Sequence, residues 1–107
     1  MLGKLTQYLQ FQLHEYQIEY RVHSTQRMAQ RNVTVEDVES SLLNGDVIEE
    51  YLSDFPFPSV LMNAVTPKGR RLHVVVGMNH IAKILVIITV YEPDSVKWDI
   101  SFTKRIL

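Results

Sequence analysis

Four β-prone runs, Val47–Leu52, Val60–Val65, Leu72–Met78 and Ile81–Tyr91, follow one another through connections only a few residues long. Such connections turn a chain back on itself but cannot carry it over a sheet, because a parallel pair needs a crossover of about a dozen residues or more. These runs are therefore committed to antiparallel pairing. Pro67-Lys68-Gly69 is a turn signature between the second and third runs, Gly77–His80 separates the third from the fourth, and Asp54, Pro56 and Pro58 break the first from the second. Ile81–Tyr91 is the richest in β-branched residues and is expected near the centre of the sheet, with Pro93 and Asp94 ending it.

The residues before Gly45 read differently. Leu2, Leu5, Leu9, Leu13 and Tyr16 recur at spacings of three and four, which predicts an amphipathic helix over residues 1–17. Ile18, Tyr20 and Val22 alternate with Glu19 and Arg21 as in a half-buried strand. Ser24 is placed to cap a short helix through Arg31, with Asn32 suited to its left-handed exit. Thr34 with Asp37 forms a second cap, flanked by the staple pair Val33 and Val38, and Gly45 ends that helix. The expected architecture is α+β, with N-terminal helices packed on an antiparallel sheet of four to five strands. Its 107 residues suit one domain, a core over 18–92 between the N-terminal helix and an extension, 93–107. In that extension Val96, Trp98, Ile100 and Phe102 alternate with polar residues, which predicts a last strand or a segment that docks on a neighbouring chain.

Composition removes several classes of function. The absence of cysteine excludes disulfides, thiolate catalysis and Cys-based metal sites. Met1–Tyr16 carries Lys4, His14, Glu15 and several glutamines and so lacks the apolar core of a signal peptide, and Ile84–Val90 is too short for a bilayer. A cytoplasmic protein without membrane contact is expected. No glycine-rich phosphate loop or nucleophile elbow is present, and no pair of the four histidines has zinc-motif spacing, so no metal or cofactor is expected. The net charge of −1 hides an uneven distribution: seven acidic residues and no basic one lie between Glu36 and Asp54, while all eleven lysines and arginines lie outside. A local basic face is compatible with that distribution.

The residues able to carry chemistry start with His23, Arg27 and Arg31, spaced by four. On a helix beginning at Ser24 the arginines share a face, with His23 at its mouth. Helix amides and two guanidiniums together suit a phosphate, and a histidine moves protons near neutral pH. The competing account is a solvated face paired with the acidic segment. On the sheet, parity places His73, Val75 and Gly77 on one strand face, and Lys83, Leu85, Ile87, Thr89 and Tyr91 on one face of the next. If these mixed faces coincide and are accessible, His73, Thr89 and Tyr91 share a shallow groove where Tyr91 can stack on a base or donate a proton. The plainer account makes His73 and Tyr91 amphipathic side chains at the edge of the core.

The stretch from Tyr20 to Tyr91 resembles the domain family of unknown function numbered four-two-five-eight. The resemblance is carried by His23 leading the helix to Arg31, by Val33-Thr34-Val35-Glu36-Asp37-Val38, by Asn44-Gly45-Asp46-Val47-Ile48, by Leu72-His73-Val74-Val75-Val76 and by Ile88-Thr89-Val90-Tyr91. That family in turn is similar, in its order of elements, to metal-independent ribonucleases of the RelE and barnase type, many of them toxins held by an antitoxin. The resemblance implies an endoribonuclease acting by general acid/base catalysis on RNA, with a cognate antitoxin as partner. Carried over, it matches His23, Arg27, Thr89 and Tyr91; together with the reading of the residues themselves, His23, Arg27, His73 and Tyr91 are the expected catalytic residues, and Arg31 and Thr89 the expected substrate-binding ones. Two other readings stand beside it: a non-catalytic domain that captures an anion or a partner protein, and a homo-oligomer that uses the N-terminal helix and the C-terminal tail.

Overall fold

The computed structural model describes residues 2–107. Its elements are α1 (Leu5–Tyr8), a 3-10 turn (Leu13–Glu15), β1 (Gln17–Tyr20), α2 (Val22–Gln30), α3 (Val35–Asn44), β2 (Asp46–Tyr51), β3 (Ser59–Val65), β4 (Arg71–Asn79) and β5 (Ile84–Tyr91). The four β-prone runs form the antiparallel series β2, β3, β4, β5 that their short connections require. The remaining strand corrects the expectation of a wholly antiparallel sheet. β1 runs parallel to β5, with Gln17 opposite Ile84 and Tyr20 opposite Ile87, so the sheet is mixed and ordered β1-β5-β4-β3-β2. Two helices and three strands separate β1 from β5 in sequence, ample chain for a crossover.

Helices α2 and α3 pack on one face of this sheet, where Met28, Val38 and Leu42 meet Met62, Val74, Val76, Leu85 and Ile87 in one buried cluster. The α+β class is as expected. The box at the start of α3 forms as its residues predict: the Asp37 amide donates to Thr34 Oγ1 at 3.1 Å and the Thr34 amide to Asp37 Oδ2 at 3.0 Å. The helix expected over 1–17 does not form as one piece. Its apolar residues do reach the core, Leu5 and Leu9 buried and Leu13 and Tyr16 packed against it. Gln10 and Phe11, however, are left-handed, with φ of 53° and 61°, and interrupt the helix between α1 and the 3-10 turn. Among the described residues no helix is long and apolar enough to cross a membrane.

A bulge in β5 changes the facing of its side chains. Val75 pairs with Thr89 but Val76 pairs with Ile87, so Ile88 is the extra residue. Leu85 and Ile87 therefore face the helices, whereas Thr89 and Tyr91, two and four residues beyond Ile87, turn to the opposite, open face with Val75 and His73. That open face also holds Gly77. A methyl group there would meet Ile88 Cδ1 at 3.4 Å, Val86 Cβ at 3.7 Å and Phe57 Cδ2 at 3.8 Å, all ordinary contacts. Glycine inside a strand forfeits about 0.5–1 kcal/mol relative to alanine, so Gly77→Ala is expected to raise stability by about that amount, read as a higher urea midpoint.

The tail adds no strand and returns over the open face. The Asp99 carboxylate accepts from Ser101 Oγ at 2.9 Å and from the Thr103 amide at 3.0 Å, and Phe102 is left-handed with φ of 59°. This turn interrupts the alternation that reads as a strand, and it brings Arg105 opposite Trp98 in an isolated bridge. Trp98 is buried at 3% exposure, while Ile100 points to solvent.

Candidate functional site

β1 ends opposite Ile87, which leaves the outer edge of β5 without a strand beyond that point. α2 takes its place. Ser24 Oγ lies 2.6 Å from the Ile87 carbonyl and 2.8 Å from that of Ile88, and Arg31 Nη1 donates to the Val90 carbonyl at 2.5 Å. This geometry corrects the expected cap: α2 starts at Val22 with Arg21 as an extended N-cap, and Ser24 is a buried residue within its first turn. A buried carbonyl without a partner costs more than a helix amide open to water, so the hydroxyl serves the strand edge. His23 thus lies within the first turn of α2 and is exposed, as is Arg27 one turn on. Among the described residues neither side chain hydrogen-bonds elsewhere in the chain. Arg31 is half-buried and one of its nitrogens is held by the strand edge.

His23 lines a groove of about 490 Å³ on the open face, together with Arg21, Asp54, Phe55, Phe57, Val86 and Ile88. Ile88, the bulge residue of β5, is one of its lining residues. Asp54 accepts a hydrogen bond from Ser59 Oγ at 2.6 Å. Phe55 is 96% exposed, so it contributes almost nothing to the core. Sequence reasoning missed Arg21, Asp54, Phe55 and Phe57. The usable signal was two aromatic residues alternating with two prolines, Phe55-Pro56-Phe57-Pro58, in a loop where packing asks for neither.

His73 and Tyr91 also meet, but in another place. They are cross-strand partners, and Nδ1 of His73 lies 3.2 Å from the Tyr91 hydroxyl. Nε2 lies 2.8 Å from the Phe102 carbonyl of the tail, which can only accept. Nε2 therefore carries the proton and Nδ1 accepts from Tyr91. Trp98 closes the pair edge-on to His73 at 4.5 Å between centroids, and Arg105 lies over Trp98 at 4.6 Å while its guanidinium binds Glu49 at 2.8 Å. The expectation that this face is open at His73 is corrected, since His73 is 0% exposed. Thr89 is half-buried opposite Val75. His73 and Gly77 are four residues apart on β4, roughly 13 Å along the strand, so the groove of His23 and the sealed His73–Tyr91 pair are distinct.

Burial holds the His73 pKa below its ordinary 6.5, against the Phe102 carbonyl and the Glu49 charge that favour the imidazolium; Arg105 and Arg71 add to the lowering. Burial likewise raises the Tyr91 phenol, which stays protonated as its donor role requires. The unfolded chain therefore binds this proton more readily than the native one. Stability is complete above pH 6.5 and is lost as pH falls from there through the lower native value of His73. Urea midpoints of the wild type are expected to fall between about pH 7.5 and 5.5 more than those of His73→Gln. Glu49 is distinguishable: burial raises its pKa, but bonds from Arg105 and Tyr51 hold it below 4.5, so its own loss begins at lower pH.

Among the described residues no group of three or more His, Asp or Glu side chains is placed to hold a metal ion. Residues 20–92 match the family model described as Domain of unknown function (DUF4258). The chain belongs to that family. No curated protein and no solved structure matches it. The DUF4258 match runs from the last residue of β1 to the residue after β5. It contains every residue of the His23 groove as well as His73 and Tyr91, and it excludes the tail that seals that pair.

Proposed function

We propose that this DUF4258 chain is a metal-independent endoribonuclease of the RelE and barnase type, with its active centre in the groove at His23. RNA cleavage of this kind needs a base for the ribose 2′-hydroxyl and cations for the charge that develops on phosphorus. His23 takes the hydroxyl proton as that oxygen attacks phosphorus. The departing 5′-oxygen takes a proton from solvent water and the proton on His23 returns to solvent, which leaves a cyclic phosphate on one product and a hydroxyl on the other. Arg21, in the same groove, and Arg27, one turn along α2, hold the phosphate oxygens. The observation that carries this reading is an exposed histidine beside an arginine in an aromatic-walled groove inside the family segment. A cytoplasmic location and a neutralising antitoxin partner go with it. His73, Tyr91 and Arg31 act here as structure, not as proton donors or phosphate holders.

The test is purified protein on RNA with EDTA present, wild type beside His23→Ala; equal background cleavage by both rejects the reading. A second reading, capture of an anionic ligand without turnover, is favoured by one observation. With His73 sealed, His23 is, among the described residues, the only histidine lining the groove. Under that reading Arg21→Ala lowers affinity in a titration and no product forms.

A further inference from the structure

We infer that the His23 groove is a subsite for one unpaired nucleobase of single-stranded RNA, stacked on Phe57 with its phosphate at Arg21 and His23, and that Asp54 selects bases carrying an exocyclic amino group. The inference rests on the reading of the groove as an RNA site and adds what it recognises. A phosphate alone would be served by the Arg21 guanidinium with the His23 imidazole. The groove offers more: apolar surface from Val86 and Ile88 beside Phe57 and the exposed Phe55. Its volume, about 490 Å³, is in the range of small-ligand sites. Apolar surface beside aromatic rings matches the face of a base, and any base offers such a face once it is out of a duplex.

Charge favours the same occupant. Arg21 and His23 supply donors for phosphate oxygens. Asp54, the acidic residue in the lining, has Oδ2 fixed by the Ser59 hydroxyl and its other oxygen without a partner among the described residues. A carboxylate accepts and does not donate, so it pairs with an amino group of adenine, cytosine or guanine. Uracil has no amino group and offers only its ring N3–H, which lies between two carbonyl oxygens that repel a carboxylate.

Calorimetric titration of the full chain with adenosine, cytidine and uridine monophosphates, and with inorganic phosphate, tests this. Adenosine and cytidine monophosphates are expected to bind more tightly than uridine monophosphate, and Asp54→Asn to erase the difference. Phe57→Ala is expected to weaken all three nucleotides by about 5- to 150-fold and leave phosphate binding unchanged, while Phe57→Tyr, which keeps the stacking surface, restores nucleotide affinity. Arg21→Ala weakens nucleotides and phosphate alike. Nucleotide affinities that ignore both Phe57→Ala and Asp54→Asn overturn the inference, as does a groove that takes an apolar peptide but no nucleotide. A chain that binds nucleotides in this pattern yet never cleaves RNA rejects the ribonuclease and keeps the base subsite. Cleavage that depends on His23 but is indifferent to Phe57→Ala and to base identity does the reverse.

Discussion

His23→Ala is expected to slow cleavage of single-stranded RNA by about 10²- to 10⁴-fold, the range that general acid–base groups contribute, while the unfolding free energy from urea titration stays within about 0.5 kcal/mol of the wild type. The two halves of that expectation come from the same geometry. The His23 side chain is exposed on the first turn of α2 and, among the described residues, bonds to nothing in the chain, so its loss leaves no buried group unpaired. Alanine also suits a helix. His73→Gln should behave in the opposite sense: it removes a ring held by the Tyr91 hydroxyl and the Phe102 carbonyl, lowering stability without slowing cleavage per folded molecule. If His73→Gln abolishes turnover in folded protein and His23→Ala does not, the assignment of the two histidines is reversed.

The largest effect on stability is expected at the tail. Trp98→Ala should cost about 3–5 kcal/mol, the usual range for truncating a buried aromatic residue. Trp98 is 3% exposed, edge-on to His73, with the Arg105 guanidinium over its ring and tied to Glu49. Its removal opens a cavity over His73 and loosens the segment whose Phe102 carbonyl satisfies the imidazole. Because Trp98 is the only tryptophan, unfolding is followed by far-ultraviolet circular dichroism in place of fluorescence. A loss below about 1 kcal/mol would mean that the tail contributes little to the fold.

Much of this was legible residue by residue, and the misses share a physical origin. The Thr34–Asp37 box and the Pro67–Gly69 turn are local, and local signals decide them. The alternation of Ile18 and Tyr20 is equally local and marks β1, but the direction of a strand depends on what lies between it and its partner. The facing of Thr89 and Tyr91 turned on one bulge residue, Ile88, which a strict period of two cannot reveal. Ser24 looked like a cap because caps are local, whereas its hydroxyl serves carbonyls more than sixty residues away. The candidate site followed the same division. His23 was readable from its lead of α2, but Arg21, Asp54, Phe55 and Phe57 join it only when the loop after β2 lies beside β5. His73 and Tyr91 do meet, as parity suggests, yet their closure depends on a tail that returns from beyond β5.

The central claim is that function resides in the groove at His23 and not at the sealed His73–Tyr91 pair. Titrating the isotope-labelled chain with a short single-stranded RNA and following backbone amide shifts by NMR tests it most directly. The account predicts that the largest shifts map to Arg21, His23, Phe57, Val86 and Ile88, with Trp98, Phe102 and Arg105 unmoved. Shifts centred on His73, Tyr91 and the tail, or none at any RNA concentration, would contradict it.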